Sequence, residues 1–131
     1  MASILIAEDD RDQREMLSSM LSDEGYTVNA VDNGTDASQE LGKTPYDLAI
    51  LDVGMPGKDG VTVLKELRER KSSIPVIIMS AFVSEAEHNR YAASGATASL
   101  SKPYRLDALL GLIKTLQKRN LLDGLAGAIA Y

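Results

Sequence analysis

Six polar residues stand where apolar runs end: Glu8, Asp9 and Asp10 after Ile4–Ala7, Asp52 after a run over 47–51, Ser80 after one over 76–79, and Lys102 just past one over 96–100. Three adjacent carboxylates repel one another and drive their pKa values apart unless a cation joins them. A hard divalent ion such as Mg²⁺ prefers oxygen ligands and binds through one or two carboxylates plus a phosphate, so the cluster predicts a Mg²⁺ site. A carboxylate held beside such an ion, as Asp52 would be, can attack phosphorus and form an aspartyl phosphate. That chemistry asks mainly for positioning and charge neutralisation. Lys102 fits as a mobile point charge, Ser80 offers a hydroxyl to a phosphoryl oxygen, and Ala81 leaves the approach open. Taken singly, Asp9 and Asp10 read as helix caps, Asp52 as a turn acid and Lys102 as a solvated lysine. Their joint placement carries the reading.

The elements that must position these groups can be read from patterning. Five short runs, at 4–7, 26–31, 47–51, 76–79 and 96–100, are apolar almost without alternation, as strands buried on both faces of a parallel sheet are. Between them lie helical periodicities. Met16, Leu17, Met20 and Leu21 share a face that ends at Gly25, and 33–42 places Ala37 and Leu41 one turn apart. A third helix over 60–70 turns Val61, Leu64 and Leu67 inward; a fourth starts at the N-cap Ser84 and closes at Gly95; a fifth over 105–119 buries Leu106, Leu109, Leu110 and Ile113. Strands alternating with helices through short turns predict an α/β fold, a doubly wound five-stranded parallel sheet with five helices. Ligands of such sheets bind outside the carboxyl ends of the strands at a switch in strand order.

The chain has 131 residues, 44% hydrophobic and 25% charged, which suits one domain with its own core. A net charge of -5 without a basic run argues against direct nucleic-acid binding. With no cysteine there is no disulfide framework or thiolate zinc site, and the single His88 excludes a cluster of histidine ligands. No stretch reaches the roughly 20 apolar residues of a membrane helix, and no basic leader precedes the first strand. The expectation is a cytoplasmic protein with no membrane partner. His88 reads as a surface residue, "KELRERK" as a solvated helix face, and Met16, Met20 and Met79 as core.

In this order and at these strand ends, "EDDRD", "LDVGMPGKDG", "MSA" and "SKPY" resemble the receiver (CheY-like) domain of two-component response regulators, a flavodoxin-like fold. The resemblance spans residues 1–119 and leaves 120–131 as a tail or linker stub without an output domain. It implies that Asp52 accepts a phosphoryl group from a histidine kinase or histidine phosphotransfer protein. Asp9 and Asp10 would be the metal-site acids, Asp10 the more direct ligand, with the backbone carbonyl of Gly54 another. Ser80 matches the switch hydroxyl, Lys102 the phosphate contact, Pro103 a cis Lys-Pro bond, and Met55, Pro56 and Gly60 the loop after the acceptor. The chain departs from the family three residues before the lysine, where many receivers carry Tyr or Phe and this one carries Ser99. It also has Leu112 where winged-helix regulators place an arginine for dimer pairing, which leaves a monomer or weak dimer. The expected surface for a downstream protein effector lies on helix four, strand five and helix five, with Glu87, Arg90, Tyr91, Ser99, Tyr104 and Arg105. In the tail, Leu121, Leu122, Leu125 and Ile129 would share one helical face; the segment either extends helix five, docks or pairs, or is a frayed stub.

Two other functions use the same residues. A metal-dependent phosphohydrolase with an aspartate nucleophile uses a second Asp two residues on, where this chain has Gly54. A binding module on the same fold would have no need of the full set of acids, hydroxyl and lysine. A dinucleotide-binding domain is disfavoured because the first strand runs into "EDDRD" rather than a glycine-rich turn.

Overall fold

The chain alternates strand and helix throughout residues 2–122 and 129–130, which are the residues that the structure, a computed structural model, describes. In order the elements are β1 (Ser3–Ala7), α1 (Arg11–Asp23), β2 (Thr27–Val31), α2 (Gly34–Lys43), β3 (Leu48–Asp52), α3 (Gly60–Glu69), β4 (Val76–Ser80), α4 (Glu85–Ala93), β5 (Ala98–Ser101), α5 (Leu106–Leu122) and a two-residue β6 (Ile129–Ala130). They form one parallel sheet of order β2-β1-β3-β4-β5-β6. The chain leaves β1 toward β2 on one side and resumes with β3 on the other, so the order reverses between β1 and β3. Ala7 pairs with Leu51 there, which brings the residues just beyond them, Glu8 and Asp52, side by side.

Alternate residues of the central strands feed two cores. Ile4, Ile6, Ile50 and Ile77 pack with Leu17 and Leu21 of α1 and with Leu109, Leu112, Ile113 and Leu116 of α5. Leu5, Ala49, Leu51 and Ile78 pack with Ala37 of α2, with Val63, Leu64 and Leu67 of α3, and with Tyr91 of α4. Each large aliphatic side chain so buried contributes about 1.5–3 kcal/mol, which holds the strand ends in a fixed frame. Side-chain caps start the helices: Asp10 accepts from Gln13, Asn33 from Asp36, Asp59 from Thr62 and Ser84 from Glu87. The Asn33 cap also explains why α2 forms on so little apolar content.

The structure departs from the sequence expectation in detail. Met16 is 55% exposed rather than core, and Met20 is half-buried. The apolar face of α1 is narrower than its four candidates imply, and Leu17 and Leu21 fill it. Helix α5 runs on to Leu122, and β6 adds a sixth strand beside β5. The tail face that includes Leu125 lies outside the described residues. Leu112 is fully buried, a core position rather than a surface one. Among the described residues, no helix is long and apolar enough to cross a membrane.

Candidate functional site

At the switch point Glu8 follows β1 directly and Asp52 ends β3, both buried, while Asp9 beside them is exposed. One carboxylate oxygen from each of Glu8, Asp9 and Asp52 lies within 4.8 Å of the other two. Lys102, just past β5, reaches back over the sheet edge. Its Nζ donates to Glu8 Oε1 at 2.5 Å and to Asp52 Oδ2 at 3.2 Å. Burial works against the Lys102 ammonium, but the Glu8 and Asp52 carboxylates outweigh it and hold its pKa above the ordinary lysine value. Three carboxylates against one ammonium leave two negative charges uncompensated, the charge that a divalent cation brings. The donors are hard oxygens at close range, so the residues present fit Mg²⁺.

The acids that gather here are Asp9 and Asp52, as expected, and Glu8 in place of Asp10. Asp10, expected as the more direct ligand, is instead the N-cap of α1: its Oδ1 accepts from Gln13 N–H at 3.0 Å, and it stands outside the oxygen group. Glu8, counted among the three adjacent acids but given no place in the metal set that the resemblance implies, stands in the oxygen group instead. The spacing carried a signal for this, since an acid followed three residues later by Gln is a capping pattern. Glu8 Oε2 also accepts the Asp10 N–H at 3.1 Å, which ties the cap to the site.

The loop after Asp52 is built for close approach. Val53 N–H donates to Met79 O at 2.9 Å and Gly60 N–H to Val53 O at 3.2 Å. A Cβ on Gly60 would stand 2.4 Å from the Asp52 carbonyl oxygen, so only glycine lets α3 start there. Gly57 turns the loop with φ +77. Gly54 has nothing within 4 Å of where its Cβ would be, so the loop is open on that side. The Lys102–Pro103 peptide is cis.

Ser80 ends β4 one residue past Met79, the partner of Asp52 in register. Its hydroxyl donates weakly to Phe82 O, at 3.4 Å, and is not bonded to Asp52. Phe82 is 68% exposed. Tyr104 is half-buried, its phenol pushed up by burial, with Lys102 opposing and Glu8 adding.

Of the residues expected at a partner surface, Tyr91 and Ser99 are each only 1% exposed, so neither can touch a partner directly. Tyr91 packs under α4 and donates to Glu87 Oε2 at 3.0 Å; burial raises its pKa, the Ser80 hydroxyl works against that, and Glu87 adds to it. Arg90 and Arg105 are exposed, and Glu87 and Tyr104 are half-buried. Arg90 lies over the Tyr91 ring, and Arg105 pairs with Asp107. His88 is half-buried rather than on the surface, with Nδ1 2.8 Å from Ser99 Oγ.

The model of the response regulator receiver domain matches residues 4–114. The chain belongs to the response regulator receiver-domain family. The receiver is a signalling domain, and its relatives are response regulators. Response regulator MprA of Mycobacterium leprae is 35% identical over 127 residues, 97% of this chain and 56% of that protein. Transcriptional regulatory protein TctD of Salmonella typhimurium is 34% identical over 117 residues, 89% of this chain and 52% of that protein. The chain thus spans about half the length of the curated relatives it matches. Among solved structures, the receiver domain of the Francisella response regulator 1452 superposes with TM-score 0.88 at 29% identity, covering 92% of this chain and 99% of that one. Response regulator TrrA of Thermotoga maritima, solved in complex with Mg(2+)-BeF, superposes with TM-score 0.80 at 32% identity, covering 88% of this receiver and 99% of that chain.

Proposed function

We propose that this receiver accepts a phosphoryl group on Asp52 from a histidine kinase or histidine phosphotransfer protein and changes a partner-binding surface in response. The observation that carries the reading is the Lys102 ammonium held between Glu8 and Asp52 with Asp9 beside them. In the transfer, an Asp52 carboxylate oxygen forms the P–O bond as the P–N bond to the donor imidazole breaks, and the imidazole leaves with the electron pair. Glu8, Asp9 and Asp52 would hold Mg²⁺, which when bound neutralises charge on the phosphoryl oxygens. Lys102 supplies a second cation to the same oxygens. Ser80, free of Asp52 here, is the hydroxyl that turns to the added phosphoryl group, and Gly54 leaves room for the donor.

A groove of about 420 Å³ between α1 and the segment after β5, lined by Gln13, Met16, Met20, Lys102, Pro103, Tyr104 and Leu106, opens beside Lys102. Its exposed methionine suits an apolar helix of the phosphodonor. Residues 1–119 form the receiver proper and 120–131 the segment that follows, and we place the exposed Arg90 and Arg105 on the surface a downstream protein reads. The domain acts as a monomer or weak dimer in the cytoplasm.

The test is intact mass after incubation with acetyl phosphate and Mg²⁺. One added phosphoryl group, absent without Mg²⁺ and absent in Asp52→Asn, is the result expected. An adduct that survives Asp52→Asn overturns the assignment.

A further inference from the structure

Helix α4 is lightly packed: of its nine residues only Tyr91 is buried. Hydroxyls of β5 and the residue before it supply much of what else fastens this region. At alternate positions, Thr97 Oγ1 accepts from Val76 N–H at 3.0 Å, Ser99 Oγ bonds His88 Nδ1 at 2.8 Å, and Ser101 Oγ accepts from Val83 N–H at 2.9 Å. The last two lie on a short path from the acceptor. Ser80 pairs with Ser101 in register, Ser101 holds Val83 just before the α4 cap Ser84, and one turn on His88 is tied to Ser99. Ser99 is buried, and among the described residues His88 is the hydrogen-bond partner of its hydroxyl. A bulky aromatic at this position would fill space by packing; the serine supplies instead a single directional bond from strand to helix.

We propose that His88 and Ser99 form a latch that holds α4 in the position seen when Ser80 bonds Phe82, and so set how readily the receiver passes to its phosphorylated conformation. Both are positioning residues, and the proposal rests on the reading of Asp52 as phosphoacceptor. A bond made in one of two α4 positions favours that position by its own net worth, a factor of roughly three to ten for one hydrogen bond. Breaking it lowers the stability of the resting form and, because the phosphorylated form does not use it, eases the transition. A bond that served only to stabilise the fold would lower stability without easing anything.

The experiment measures affinity for beryllofluoride with Mg²⁺, a phosphoryl mimic, in the unaltered chain, in Ser99→Ala, in His88→Ala and in the double variant, together with the urea midpoint of each. The result expected is a lower urea midpoint and a roughly three- to tenfold tighter beryllofluoride Kd in each single variant, with the double variant no tighter than the singles because they remove one shared bond. Unchanged or weaker affinity in Ser99→Ala, the milder substitution, overturns the latch, as does simple additivity of the two changes. If the unaltered chain binds no beryllofluoride, the acceptor reading fails; if it binds and the variants bind equally, only the latch fails.

Discussion

Replacing one acid at a time separates the carboxylates that serve a cation from the one that caps a helix. The oxygens of Glu8, Asp9 and Asp52 lie within 4.8 Å of one another, so an ion held among them would feel each carboxylate at that range or closer. Asp9 is exposed, so its attraction for a divalent charge is best taken at the dielectric of water, about 1.7 kcal/mol at that separation. Asp9→Asn is therefore expected to weaken Mg²⁺ binding about twentyfold. Asp10 contributes differently: Asn caps a helix about as well as Asp, so Asp10→Asn should leave both the melting temperature and the Mg²⁺ affinity near those of the unaltered chain. Asp10→Ala should cost about 1 kcal/mol of stability with Mg²⁺ affinity still close to normal. Titration calorimetry at fixed ionic strength gives the affinities and urea denaturation the stabilities. A larger affinity loss in Asp10→Asn than in Asp9→Asn would refute the assignment of Glu8, Asp9 and Asp52 as the metal acids.

Gly60→Ala forces a Cβ against the Asp52 carbonyl oxygen at 2.4 Å and is expected to destabilise by about 1–3 kcal/mol in urea, despite the better helix propensity of alanine. The Lys102 pKa is held above its unfolded value, so its ion pairs contribute fully below about pH 10 and are lost as pH rises through the folded value. Thermal melts from pH 8 to 11 should therefore show a steeper alkaline loss for the unaltered chain than for Lys102→Gln; parallel slopes would count against the pairing. Leu112→Ala, at a fully buried core position, should cost about 2–5 kcal/mol, a loss that a surface dimer contact would not produce.

How far the sequence reached depended on whether a residue's role is set locally. The strands were legible because a sheet covered on both faces needs continuous apolar runs, and Ile50 and Ile77 could sit nowhere else. Asp52 and Lys102 were legible for the same reason, since each follows such a run on the edge where doubly wound sheets bind ligands. The three consecutive acids were only half legible. Glu8 stays buried as the chain leaves β1, whereas Asp10 accepts the free N–H of Gln13 in the first turn of α1. Tyr91 and Ser99 were misplaced on the surface because an isolated aromatic in a polar helix and a serine in a strand carry no mark of burial. The bond from His88 to Ser99 spans two elements and follows from no local pattern.

The arrangement sets a site at the centre of the sheet beside a lightly packed α4. Glu8 and Asp52 are fixed by β1 and β3 at the centre of the sheet, where neighbouring strands on both sides prevent them from yielding to added charge. Lys102, Ser80 and the start of α4 lie toward β5; β4 and β5 are themselves buried in the cores, but α4 has only Tyr91 buried and is tied to them in part by side-chain hydrogen bonds. A phosphoryl group on Asp52 would compete with Glu8 for the Lys102 ammonium and offer Ser80 a stronger acceptor than the Phe82 carbonyl. Both changes act next to the lightly packed α4. The bonds from Ser101 to Val83 and from Ser99 to His88 are worth about 1 kcal/mol each, so the differential binding of one phosphoryl group would be enough to shift the position of α4 while the cores stay intact.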